Sequence, residues 1–365
     1  MSLPNAPDAL VIGGGLIGCA IARELAATRR VVLLDRGPLG GEASSAAAGV
    51  LGVASGDDDG PRLALRQASL ARHPALAAAL RDETDIDVGF ARTGVVAVAG
   101  DDGELAACEA RAARRRAVGF AAERLSAHEL RALEPLVHPG ARGGVLYPDD
   151  AVVVAERLVT ALADSARRRG AVLVPGLHVR AIERAGDRVL RVRAGDEWVA
   201  PGIVVLATGA WGASAIAGLD VVPAVVPVRG QMMALRPDRS PARVLTAGNA
   251  FLVPRPHGEV WVGATFEDAG FTKAVTPDGL RELASHVERL APALATAPIV
   301  RAWSGLRPSC PAGPIIGRAP GVANLLVALG HHRNGVLLAP ISAEAVVACA
   351  DGARPPDATV PFLLG

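Results

Sequence analysis

Residues 8–36, DALVIGGGLIGCAIARELAATRRVVLLDR, constrain the fold of this chain more than any other stretch. An apolar run from Ala9 to Ile12 stops at Gly13, Gly14 and Gly15, apolar residues then recur at helical spacing from Leu16, and a second apolar run over 31–34 ends on Asp35. Short apolar runs bounded by glycine read as buried strands, so the order is strand, turn, helix, strand. Each glycine has its own task. Gly13 permits a tight turn, Gly15 lets backbone approach a pyrophosphate, and Gly18 lets the helix lie close on the strand. The helix starting near Leu16 aims its free N–H groups and dipole at phosphates. Asp35 falls 22 residues after Gly13, with Arg36 beside it, where an acid holds the ribose hydroxyls of an adenosine. These residues predict an α/β, Rossmann-like dinucleotide domain and leave open which dinucleotide it takes.

A chain of 365 residues has room for about two domains. Half of its residues are hydrophobic but only 3% are aromatic, so its core must be built from Ala, Val and Leu. The net charge of +1 gives no reason to expect nucleic acid or an anionic membrane as partner. Cys19, Cys108, Cys310 and Cys349 are far apart and form no C-x-x-C, which implies neither a disulfide framework nor a metal site. MSLPNAP carries no basic segment of a secretory signal, and no run of about 18 uninterrupted apolar residues suggests a membrane span. The expectation is a cytoplasmic, soluble protein.

After Asp35, residues 37–52 (GPLGGEASSAAAGVLG) are almost all small and include Ser44 and Ser45. Small side chains let backbone meet a ligand, and paired hydroxyls suit phosphate oxygens. Residues 61–82 are helical in pattern with a break at Pro74, 87–99 read as a strand pair around Gly94, and 104–118 as a helix. Arg114, Arg115 and Arg116 read as a solvated helix face, as do Arg167, Arg168 and Arg169. A strand and turn over 144–153, a helix from about Val154 to Arg169 and a bent strand over 171–182 follow. The buried run 203–206 ends in Ala-Thr-Gly-Ala-Trp, a second glycine turn able to meet a cofactor at Gly209 and Trp211. Short β segments over 223–265, without crossover helices between them, predict an antiparallel sheet. A helix follows over 277–290, with Thr276 as N-cap and Pro277 at N1, then a strand over 324–330, the loop HHRNG and a last helix from Val336.

Several segments together resemble one family. They are G-G-G-L-I-G with Asp35, S-S-A-A-A-G-V-L-G (44–52), A-T-G-A-W (207–211), V-P-V-R-G-Q (226–231), V-G-A-T (262–265), W-S-G-L-R-P (303–308), P-I-I-G-R (314–318) and G-H-H-R-N-G-V-L-L-A-P (330–340). In this combination the chain resembles the FAD-dependent amine oxidases, and among them the glycine oxidase group of the thiamine pathway, relatives of D-amino acid oxidase and sarcosine oxidase. The resemblance covers nearly the whole length.

It implies flavin-dependent oxidative deamination of a small amino acid or amine to an imine or oxo acid, with O₂ as electron acceptor and H₂O₂ as product. A flavin carries such chemistry, which accords with a sequence lacking an evident nucleophile, metal cluster or carboxylate pair. It implies a catalytic set of Arg307, Arg333, Asn249 and Phe251. Arg307 stands in W-S-G-L-R-P, where the family's arginine binds the substrate carboxylate. It implies FAD contacts from Gly13, Gly15, Gly18, Asp35, Arg36, Ser44, Ser45, Ala48, Gly49, Val179, Gly209, Trp211, His332, Arg333, Asn334, Gly335, Val336 and Leu337, with no metal. One position departs from the pattern. Phe251 stands where the family has a tyrosine whose hydroxyl helps hold the carboxylate, so glycine itself is in doubt and an amine with some apolar bulk is favoured. Asn249 is a candidate replacement donor and Phe266 a candidate apolar wall, while the only tyrosine, Tyr147, lies on the YPDD turn. Cys310 does not align with the cysteine that some relatives bond to flavin, so a non-covalent cofactor is expected. Two further readings stay open: a dehydrogenase passing electrons to a quinone or protein, and a non-catalytic flavin-binding subunit. The expected partners are the amine and O₂, and self-association into a homo-oligomer is left open. The FAD-binding domain is expected over 1–85, 145–220 and 300–365, with an inserted antiparallel substrate domain over 86–144 and 221–299.

Overall fold

The computed structural model describes residues 3–213, 216–217, 219 and 222–364. The expected strand, turn, helix and strand form as Ala9–Ile12, Leu16–Leu25 and Val31–Asp35. They lie at the centre of a six-stranded sheet in the order Ile315–Arg318, Leu325–Leu329, Ile203–Leu206, Ala9–Ile12, Val31–Asp35, Val172–Pro175, parallel except at the Ile315–Arg318 edge. Its strands are apolar except at their ends, at Asp35 and Arg318, because both faces are covered, and the two-residue period sorts them. Ala9, Val11 and Leu33 pack under the helices Leu16–Leu25, Ala155–Arg168 and Gly335–Asp351. Leu10, Ile12 and Val32 pack under a three-stranded sheet of Val179–Ala185, Arg188–Ala194 and Glu197–Val199.

A second sheet has eight strands, in the order Ile299–Ser309, Val226–Leu235, Val260–Gly263, Ala250–Pro254, Val244–Ala247, Val95–Ala99, Gly143–Tyr147, Glu123–Ser126. It is antiparallel as expected, save for one parallel pair, Val244–Ala247 with Val95–Ala99. One face is covered by the helices Pro277–Leu290 and Ala127–Leu133. Thr276 caps the first of these, its Oγ1 accepting the Gly279 N–H at 3.2 Å. This sheet runs past the junctions expected at 145 and 300, because Gly143–Tyr147 and Ile299–Ser309 are both strands of it. The junction expected at 220–221 lies outside the described residues.

Three local expectations change. Residues 87–99 hold one strand, Val95–Ala99, rather than a pair: the preceding residues turn through Gly89 and Gly94 at positive φ and touch strand Ala151–Val152 only through Ala91. The bent strand over 171–182 is two strands in different sheets, separated by the Pro175–Gly176 bend. Arg115 is not solvated. It is 1% exposed, donates to the carbonyls of Ala54, Gly56 and Asp58 at 3.1, 2.8 and 2.7 Å and pairs with Asp59. With Asp150, which accepts the N–H groups of Val53, Ala54 and Ser55, it fixes the loop over 53–59.

One stretch, His332–Asp351, is long and apolar enough to cross a membrane by length and composition. Its apolarity is accounted for by the core, in which Leu337, Leu338, Ile341 and Val346 are buried.

Candidate active site

The first strand delivers Gly13 at φ +109°, and a Cβ there would lie 2.3 Å from the Ala207 carbonyl oxygen. A Cβ on Gly18 would lie 1.8 Å from the Gly13 oxygen. Helix and strand therefore touch through backbone alone, and any side chain would open the turn. Asp35 shapes the same turn, its Oδ2 accepting the Gly14 N–H at 2.6 Å and its Oδ1 the Gly37 N–H at 2.8 Å. Ser44 Oγ accepts the Leu16 N–H at 2.9 Å, one of the free donors at the helix start.

From this turn a cavity of about 500 Å³ passes between the two large sheets. At one end it is lined by Gly15, Leu16, Ser44, Ala48, Gly49 and Gly209, and farther on by His332, Arg333, Asn334, Gly335 and Val336. The helix Gly335–Asp351 thus presents a second N-terminus to it, which suits a group that gains negative charge on reduction. A further wall comes from the eight-stranded sheet and the loops that leave it: Met232, Thr246, Asn249, Phe251, Phe266 and Arg307.

Arg307 lies on a strand, Ile299–Ser309, rather than in a loop. Its guanidinium passes over Gly230, where a Cβ would come within 2.3 Å of Nη2. Nη1 donates to the carbonyls of Thr265 at 3.0 Å and Arg229 at 3.3 Å, and the group stacks 4.2 Å from the Phe266 ring centroid. Burial, with Arg333 nearby, lowers its pKa to about 10, so it stays charged at neutral pH. No carboxylate pairs with Arg307 or Arg333 among the described residues. A half-buried cation held only by neutral carbonyls keeps the capacity to pair with an anion.

Beneath it is a network that sequence reasoning missed. Glu267 pairs with Arg229 and also accepts from Gln231 Nε2 at 2.8 Å and from the Thr265 hydroxyl. Burial works against ionisation of Glu267, but Arg229, Thr265 and Gln231 together hold its pKa below the usual range. The only signal in the sequence was that V-R-G-Q and V-G-A-T-F-E belong to neighbouring β segments, the second running on past its strand to an isolated bridge at Glu267.

His332 lines the cavity with its backbone at φ +49°, its ring 6.1 Å from that of Phe266. Burial, then Arg307 and Arg333, lower its pKa to about 4, which keeps it neutral. His331 is fully packed, Nε2 3.0 Å from Ser342 Oγ. Phe251 crosses Gly263, where a Cβ would lie 2.2 Å from its Cζ, and Asn249 sits exposed at the rim. Arg333 is also exposed, and with Cys310 it borders a neighbouring cavity of about 340 Å³.

Other expected residues stand off the cavity. The Arg36 guanidinium lies 3.8 Å over the Trp211 ring, next to Asp35. Ser45 donates to the Glu42 carbonyl at 3.1 Å. Val179 and Leu337 are buried in apolar clusters, and Tyr147 is buried beside Ala97 and Cys108.

A side-chain-free turn at a helix N-terminus, an acid at the end of the next strand, and a cavity that also meets a second helix N-terminus fit FAD, and define an FAD-dependent oxidoreductase. A family model described as "FAD dependent oxidoreductase" (DAO) matches residues 8–349, and the chain belongs to that family. It is an amino acid or amine oxidoreductase by its relatives. It is 33% identical to glycine oxidase of Geobacillus kaustophilus, over 92% of this chain and 90% of that protein, and 34% identical to glycine oxidase of Pseudomonas aeruginosa, over 95% of each. The crystal structure of the Geobacillus kaustophilus enzyme matches with a TM-score of 0.95 at 32% identity, over 99% of both chains.

Proposed function

We propose that this protein oxidatively deaminates a small amino acid or amine, in the range of glycine, sarcosine and small D-amino acids, to an imine that water converts to the oxo acid, with O₂ reduced to H₂O₂. The observation that carries the reading is Arg307, a half-buried guanidinium without a carboxylate ion pair among the described residues, in the same cavity as the N-terminus of Gly335–Asp351. We further propose that the six-stranded sheet and its helices form the FAD-binding domain and the eight-stranded sheet the substrate domain. In this reading FAD is held at its pyrophosphate by Gly13, Gly15, Gly18 and Ser44 and at its adenosine by Asp35, Arg36 and Trp211. Residues 332–336 and Ala48–Gly49 hold its ring end. Bound there, FAD supplies a two-electron acceptor for the hydride on the substrate α-carbon.

The residues of the chain then have these roles. Arg307 receives the carboxylate with two parallel N–H donors and so fixes which face of the α-carbon meets the cofactor. The positive charges of Arg307 and Arg333 disfavour an ammonium group beside them, which promotes the neutral amine that hydride loss requires. His332, neutral at physiological pH, is able to accept an N–H from that amine. Phe251 and Phe266 give the site an apolar lining beside Arg307. Four free cysteines support a cytoplasmic location. The test is a panel of amines with peroxide detection: yellow protein that releases H₂O₂ supports the oxidase, and turnover only with an artificial acceptor would replace it with a dehydrogenase.

A further inference from the structure

The face of the eight-stranded sheet that lines the cavity is organised as one cross-strand row. Met232 stands opposite Gly263, Gly263 opposite Phe251, Phe251 opposite Thr246, and Thr246 opposite Ala97. Met232, Phe251, Thr246 and Ala97 all line the cavity, and the Phe251 ring covers Gly263. Four inter-strand steps of about 4.8 Å make a floor roughly 19 Å long. The next strand continues this row with Trp303 opposite Met232, and Arg307 lies four residues farther along it, opposite Val228, with its guanidinium over Gly230, two residues from Met232.

The far end has a built wall. Glu104, Ala107, Cys108 and Arg111 of helix Asp102–Ala117 line the same cavity. Their spacing of three, four and seven residues puts them on one helix face. Arg111 pairs with Asp57 at 2.7 Å and donates to the Ser55 carbonyl at 3.2 Å, while Glu104 pairs with Arg289. The loop carrying Ser55, Gly56 and Asp57 is the one fixed by Arg115 and Asp150. Between the paired charges and Arg307 the floor is apolar except for the Thr246 hydroxyl.

Glycine has one carbon between its amine and its carboxylate. Thr246 and Ala97, on the two strands beyond Phe251, line the same cavity as Arg307 and extend its apolar wall past what a one-carbon amino acid fills. Phe251, which removes a polar contact for a small substrate, makes the floor continuous for an apolar one.

We infer that the preferred substrate is an amino acid carrying an extended, mainly apolar arm on its nitrogen, which lies along Phe251, Thr246 and Ala97 towards the Glu104–Arg111 helix face. The inference rests on the oxidase reading above.

The experiment uses the purified, FAD-loaded enzyme and compares kcat/KM for peroxide release from sarcosine, N-butylglycine and N-hexylglycine. A fully buried methylene is worth roughly fourfold, which sets a ceiling of about a thousandfold for the five added by N-hexylglycine, and partial burial of the arm should still raise kcat/KM about tenfold or more. Ala97→Leu, or Thr246→Leu at the less buried step, should lower kcat/KM for N-hexylglycine at least about fivefold more than for sarcosine, with bound flavin per chain reporting that the variant is folded. Sarcosine turnover with kcat/KM flat or falling along the series overturns the inference, as do variants that lower both substrates equally. No peroxide from any member, sarcosine included, overturns the oxidase reading and this inference with it.

Discussion

Arg307 Nη1 donates to the Thr265 carbonyl at 3.0 Å, so the cation is oriented by a neutral oxygen and keeps its charge for a ligand. A hydrogen bond to a charged group contributes about 1.5–3 kcal/mol. Arg307→Ala should therefore raise KM for carboxylate-bearing amines roughly 10- to 150-fold while bound FAD is retained. Steady-state kinetics against a carboxylate-free amine checks it, since that substrate should be affected far less. Equal effects on both would make Arg307 a structural residue.

Glu267 acts one step behind. Its pairs with Arg229 and Thr265 hold together the strand Val226–Leu235 and the segment after Val260–Gly263, whose carbonyls receive Arg307. Glu267→Gln removes the charge that Arg229, 8% exposed, depends on, and should cost about 1–3 kcal/mol of stability. KM for carboxylate substrates should rise, by less than in Arg307→Ala, with kcat nearly constant. Urea unfolding and kinetics on the same preparation measure both.

Phe251→Tyr restores a hydroxyl on the cavity floor. One hydrogen bond to a carboxylate supports a gain of about five- to tenfold in kcat/KM for glycine. An unchanged value would mean that the hydroxyl points away from the carboxylate.

Gly18→Ala tests the cofactor turn. The added methyl would sit 1.8 Å from the Gly13 carbonyl oxygen, which must shift. The variant should purify with less than about a tenth of the normal flavin, since the turn can no longer lie against a phosphate. Full flavin content would contradict the cradle.

Stability should depend on pH through buried histidines. Burial lowers the pKa values of His73, His331 and His332 to about 4, against about 6.5 in an unfolded chain. The folded pKa is depressed, so between pH 6.5 and 4 the unfolded state binds more protons and stability falls as pH falls. Their contribution is complete above about 6.5. Glu134 and Asp150, whose pKa values burial raises, act in the opposite sense, so a single histidine is best isolated by difference. His331→Asn should show a shallower loss of stability than the parent between pH 6.5 and 4.5 by urea unfolding.

The sequence was most legible where backbone alone does the work. Gly13, Gly18 and the run Ala9–Ile12 announce their turn because no other residue fits a 1.8–2.3 Å approach. Thr276 and Pro277 announced their helix for a similarly local reason. Long-range partners were not legible. Arg115 looked like one of three solvated arginines, and only the fold brings residues 54–59 across it. The network of Arg229, Gln231, Thr265 and Glu267 needed the strand register, as did the row from Met232 to Ala97, whose members are scattered over 167 positions of the chain. Phe251 was recognisable as a departure, but its position over Gly263 was not.

The central claim is that a carboxylate anchored on Arg307 presents an amine to FAD. Anaerobic mixing of the holoenzyme with sarcosine, N-hexylglycine and hexylamine, following the yellow flavin absorbance, tests it most directly. The account predicts rapid bleaching with both carboxylate-bearing amines, little with hexylamine, and no such difference in Arg307→Ala. Bleaching by hexylamine as fast as by N-hexylglycine, or none with any of the three, would contradict it.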